Sequence, residues 1–208
     1  MKIRVSAILG IAIGFSFVFS LLMVFFTNPA TYFEMNVLGI VTYNMPAMEG
    51  RAWILVNYLG VGTLTSTFSL TLGNHFNKNI LIVVGRILIG ICGLLWLSFG
   101  LMAYVPMDDL SINLIIVRVF IILLCSSLSL LFLGIESDEI LDNFFLKWYT
   151  LFSGALIFFL NFLSLFVYDD DSWIRTNISL FVYFIWFFVF GLACLIQTKK
   201  VEHGGSVL

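Results

Sequence analysis

The sequence predicts an all-α membrane protein, a six-transmembrane-helix bundle forming one integral membrane domain over residues 1–208, and three observations predict it. Six apolar runs, near residues 5–26, 53–73, 80–105, 111–135, 145–167 and 176–197, fill most of the 208-residue chain. Each reaches the ~20 residues that a helix needs to cross a hydrocarbon core about 30 Å thick. Polar or charged residues bound every run. Composition agrees: 61% of residues are hydrophobic and 11% charged, against about 25% charged in an ordinary soluble domain. So little polar surface cannot coat a water-soluble globule. The 23 phenylalanines suit a surface in contact with lipid.

The first run follows Lys2 and Arg4, as the h-region of a signal peptide would. It is longer than the ~7–15 residues of such a region and lacks a good small-residue cleavage site, so an uncleaved first span is expected. Within it Ser6, Gly10 and Gly14 recur every four residues. That spacing puts small residues on one face and lets another helix approach closely.

Residues 27–52 form the longest stretch between spans, and the stretch is too apolar for a free linker. An ordered outer segment between helices 1 and 2 is expected, lying on the membrane surface or capping the bundle. A structureless loop of this length would be unusual. The β-branched residues of Val37–Tyr43 suit a short strand or hairpin arm.

The second run is the least lipid-like. Thr63, Thr65, Ser66, Thr67, Ser69 and Thr71 crowd its second half, and Asn57 lies near its start. We expect it to face the bundle interior, either packing closely or lining a polar path. Hydroxyls can also bond their own helix carbonyls, so no polar partner is required. The third run carries Gly85, Gly90, Gly93 and Gly100, with Gly90 and Gly93 singled out as close-packing positions beside Gly10 and Gly14. Pro106, Asp108 and Asp109 then make a compact outer turn.

The fourth run holds Arg118, about seven residues and roughly 10 Å inside its outer end. A charge at that depth costs on the order of 2–3 kcal/mol unless it snorkels or is paired. Asn57, Asn161, Asp108 and Asp109 are its candidate neighbours. Arg118 reads in two ways: it faces an outward-opening cavity and holds an anionic headgroup or solute, or it snorkels and braces the outer turn. The sixth run, rich in Phe and Trp, reads as facing lipid or a partner, although Trp96 and Trp186 lie deep enough to pack within the bundle.

Charge sets the orientation. Lys2, Arg4, Lys78, Arg86, Lys147, Lys199 and Lys200 fall on one side, and Arg51, Arg118 and Arg175 on the other. The positive-inside rule places both termini in the cytoplasm. The outer side then carries Glu34, Glu49, Asp108, Asp109 and Asp169–Asp171. Three consecutive aspartates cannot all meet one cation from a regular helix, so no metal site is expected there. Cys92, Cys125 and Cys194 fall in three different spans without a CxxC, and are expected to be packing residues. Metalloprotease, serine-hydrolase and phosphate-loop signatures are missing from the sequence, and with them any sign of catalytic residues or a cofactor.

The inner turn Phe76-Asn77 leading into a glycine-rich third span, the extended segment after the first, and Pro106 followed by Asp108 carry one resemblance. In this order of parts the chain resembles a prokaryotic six-span membrane family known as a domain of unknown function, distantly similar to Frag/DRAM-type proteins. The resemblance implies the fold and a prokaryotic cell membrane, and assigns no catalytic residue. The function expected is that of a non-catalytic accessory or assembly subunit, or a lipid-interacting scaffold, whose partners are the lipid bilayer and other membrane-protein subunits rather than nucleic acid. The alternative is a small transporter or channel for a polar or anionic solute, using the Ser/Thr face of the second helix and Arg118.

Overall fold

In a computed structural model of the chain, the described backbone comprises residues 2–26, 34–35, 41–42, 47–73, 79–102, 109–136, 144–166 and 172–204. Side chains are described over 4–16, 58–72, 79–99, 117–136, 144–164, 175–176 and 178–196. Six helices account for nearly all of this: α1 (Lys2–Phe26), α2 (Ala47–Gly73), α3 (Ile80–Met102), α4 (Asp109–Ile135), α5 (Phe144–Phe166) and α6 (Ser172–Gly204). Two two-residue strands, β1 (Glu34–Met35) and β2 (Val41–Thr42), pair antiparallel between α1 and α2, with Glu34 opposite Thr42 and Met35 opposite Val41. The expected strand at 37–43 thus coincides with β2 at Val41–Thr42. Residues 47–52, expected in the outer segment, are instead the start of α2; the rest of that segment lies outside the described residues, as do the turns at 74–78 and 103–108 and the aspartates 169–171.

Four helices contain stretches long and apolar enough to cross a membrane: Ile80–Phe99, Val117–Ile135, Phe144–Ser164 and Ile178–Ile196. The chain is therefore an essentially all-helical protein with the helices of an integral membrane protein. Asn79 starts α3 in the usual way, its Oδ1 accepting the backbone N–H of Leu81 at 2.9 Å. This satisfies one of the orphan donors of the first turn.

Each helix packs against its neighbours in sequence, and α1 also packs against α6, closing the helices into a ring. The contacts show neighbours running in alternate directions. Gly62 meets Gly93 while Ser69 meets Gly90, and Gly134 meets Leu151 while Gly154 meets Leu131. At the α1–α6 seam a Cβ at Gly10 would lie 2.8 Å from the Phe187 carbonyl, and one at Gly191 would lie 2.6 Å from that of Ala7. Only glycine allows backbones this close. In lipid, where burial from water adds nothing between helices, such contact is a principal source of attraction.

The ring has a filled centre. Tyr183, Phe184, Trp186, Phe187 and Phe190 of α6 are 0–3% exposed. Phe68 of α2 stands edge-on to Trp186, Phe187 and Phe190 at centroid separations of 6.4, 5.0 and 5.7 Å. Trp96 of α3 lies 6.0 Å from Phe184. Edge-to-face geometry of this kind sets the positive ring edge against the negative face. The lipid- or partner-facing reading of the sixth helix is thereby corrected. Five of its aromatics, Tyr183, Phe184, Trp186, Phe187 and Phe190, form a broad arc aimed inward, and Ile178, Phe181, Leu192 and Ile196 make its outer face. Trp186 takes the interior position expected of it.

Candidate functional site

Polar side chains within the described helices fall into three groups, and their hydrogen bonds decide what each can do. The first is the α2–α3 seam. Ser69 Oγ donates to the Arg86 carbonyl of α3 at 2.7 Å, and Ser66 lies against Gly93. Thr71 Oγ1 donates to the Phe68 carbonyl at 2.8 Å and accepts from Ser6 Oγ of α1 at 3.0 Å. Thr63 and Thr67 point away from the bundle, and Thr67 Oγ1 donates to the Thr63 carbonyl at 2.8 Å. The six hydroxyl residues therefore do not share one interior face. Thr65 and Ser69 are buried, Ser66 and Thr71 sit at seams, and Thr63 and Thr67 are exposed. Residues spaced by one or two positions on a helix diverge by 100–200°, so the crowding seen in sequence spreads around the axis.

The second group sits where α5 ends and α6 begins. Asn161 and Ser179 are buried, and Arg175 Nε donates to Ser164 Oγ at 3.2 Å. Ser164 and Ser179 each turn back to their own helices, donating to the Leu160 and Arg175 carbonyls. Of the residues expected around Arg118, the structure describes few. Arg118 itself is half-buried near the start of the apolar stretch of α4, and Asn161 is buried on α5. Asn57 lies within α2 and Asp109 opens α4, but their side chains, and Asp108 altogether, lie outside the described residues. Arg118 and Arg175 both have interaction partners.

The third group is interior, and the sequence pointed to it only as scattered cysteines and serines. Cys92 Sγ of α3 donates to the Ile122 carbonyl of α4 at 3.5 Å and lies 3.6 Å from Ser126 Oγ. Ser126 Oγ donates to the same carbonyl at 2.6 Å. Cys125, three residues from Ile122 on the same helix, is also buried. Tyr183 of α6 is fully buried, and its hydroxyl, like Thr65 Oγ1, Ser66 Oγ and Trp96 Nε1, is a buried polar atom without a hydrogen-bond partner. Below it in sequence, Trp186 Nε1 donates to Thr150 Oγ1 of α5 at 2.8 Å. The three cysteines are all buried and free. Among the described residues no group of three His, Cys, Asp or Glu side chains converges as a metal site would. The signal that could have found this contact is register: it takes the pairing of α3 with α4 to bring Cys92 to Ile122 and Ser126.

No known protein-family model, curated protein or solved structure matches this chain.

Proposed function

We propose that all six helices cross the membrane and that the protein is a non-catalytic accessory or assembly subunit, or lipid-interacting scaffold, of a membrane complex. One observation carries the reading: the centre of the ring is packed with Phe68, Tyr183, Trp186 and Phe187, each fully buried. A solute path would need a continuous lining of polar groups or water. Here Thr67, Ser69 and Thr71 of α2 bond backbone carbonyls, Thr65 and Ser66 keep their buried hydroxyls without a partner, and aromatic rings occupy the space between helices. The outward aromatic face of α5 supplies a surface for lipid or for another membrane subunit. The charge distribution supports cytoplasmic termini in a cell membrane.

Purification of the full chain in a mild detergent tests the role: a stoichiometric membrane-protein partner is expected, and a lone, stable monomer would overturn the subunit reading. Reporter fusions at each connection test the topology: six crossings are expected, and any other number, four included, is the adverse result. The transporter alternative rests on Arg118. It requires that Arg118→Ala abolish solute uptake into proteoliposomes while the variant still folds.

A further inference from the structure

We propose that Thr65 of α2 and Tyr183 of α6 hold a buried water molecule between them, a hydration site inside the ring and one layer away from its aromatic centre. The inference goes beyond the subunit role and does not depend on it.

Register puts the two residues in one layer. The seams from α2 through α3, α4 and α5 to α6 are each antiparallel, so α2 and α6 run in the same direction. Phe68 of α2 meets Phe187 of α6 at a centroid separation of 5.0 Å. Thr65 precedes Phe68 by three residues and Tyr183 precedes Phe187 by four, which is about 4.5 and 6 Å along the two helices. Both side chains belong to the interior, at 1% and 0% exposed. Ser66 lies against Gly93, which brings Cys92 and Gly93 of α3 to the same level. Ser126 of α4 is 3.6 Å from Cys92 and joins them. The aromatic centre is filled by Phe68, Trp186 and Phe187, whereas this layer has small side chains on α2, α3 and α4. Small side chains on three helices leave the room that a single water needs.

The hydrogen bonds say what the layer takes. Thr67 and Thr71 turn back to carbonyls of α2, and Ser126 and Ser129 to carbonyls of α4. Thr65 Oγ1 makes no such bond, and neither it nor the Tyr183 hydroxyl meets a protein partner. A buried hydroxyl without a hydrogen bond is costly, and native interiors rarely leave one. Each of the two can donate one hydrogen bond and accept others. A water molecule answers both at once, accepting from one hydroxyl and donating to the other. It is neutral, so it brings no bare charge into the bundle. A hard cation would need several oxygen ligands, and two hydroxyls do not supply them. Ser66 Oγ and Trp96 Nε1 are the other two such atoms among the described residues. Ser66 sits at the α2–α3 seam, and Trp96 lies one turn along α3 from Cys92, against Phe184.

X-ray radiolysis of the purified full chain in detergent is the test, because hydroxyl radicals made from a bound water oxidise the side chains beside it. It needs no variant to fold. Tyr183 is expected to be oxidised faster than Phe187, which is equally buried; equal rates overturn the site. Reversible unfolding in mixed micelles supplies a second readout. Thr65→Val and Tyr183→Phe should each raise the unfolding equilibrium constant about fivefold, the ordinary worth of a buried hydrogen bond. The double variant should be little worse than either alone, since one water serves both hydroxyls. Single variants as stable as the parent, or more stable, would mean that the hydroxyls hold nothing. Coupling between the two without oxidation of Tyr183 would mean a direct bond between them, and also overturns the water site.

Discussion

Helices α5 and α6 are both dense in aromatic residues, and the bundle uses them in opposite ways. On α5, Phe144, Phe145, Trp148, Phe152, Phe158, Phe159 and Phe162 are 41–78% exposed. The face that α5 turns inward is mostly small or polar, with Thr150, Ser153, Gly154 and Asn161, beside Leu146 and Ile157. On α6 most rings lie inside, Phe181 being outward, and at the seam with α1 Gly191 meets Ala7 while Phe188 packs over Gly14 and edge-on to Phe15. The difference follows from a closed ring whose interior has room for one set of large rings. Those of α6 and Phe68 fill it, and α5 approaches α4 closely at Gly154, where a Cβ would lie 2.9 Å from Leu131 N, and at Gly134, where one would lie 3.0 Å from Leu151 N. Aromatic content alone thus says nothing of inside or outside; the positions of the small residues opposite do.

This comparison can be broken experimentally, and the largest effect is expected at its centre. Trp186→Ala should destabilise the bundle by about 3 kcal/mol, from the cavity it leaves, measured by reversible unfolding in mixed micelles; a loss no greater than that of a surface variant would show that the centre is not tightly packed. Gly191→Val should cost roughly 1–3 kcal/mol by forcing α6 away from Ala7 and Ile11, read as a lowered thermal midpoint. Thr150→Val keeps the shape but removes the acceptor of the Trp186 indole. A loss on the order of 1–2 kcal/mol is expected, the cost of a buried donor left unpaired, and no change would mean the indole finds another partner. Least of all, Phe152→Ala and Phe159→Ala on the outer face of α5 should alter stability by no more than about 0.5 kcal/mol. If α5 docks a partner subunit, the same pair should weaken its co-purification.

Much of the helical plan was legible in the sequence because length and apolarity are properties of each segment by itself. The glycine spacing of the first helix was legible too, since residues four apart share a face. What could not be read is whatever depends on a partner helix. The aromatics of α6 face inward because Phe68 and Trp96 meet them there, which no pattern within α6 reveals. The hydroxyls of α2 looked like one stripe because they are close in sequence, yet the helical turn divides them among three surroundings. For Arg118, local sequence gave depth, and the groups around it come from connections between helices that residue spacing does not fix. The contact of Cys92 with Ile122 and Ser126 was hidden for the same reason.

The seam between α1 and α6 also has a bearing on how the protein is made. Of the six helices α1 is made first, and the helix that fits against Gly10 and Gly14 is made last. Between those events the glycine face of α1 is without its mate and open to a wrong partner. The ring closes only once α6 has been made, so premature termination anywhere before α6 leaves that glycine face exposed, a defect that quality control could recognise.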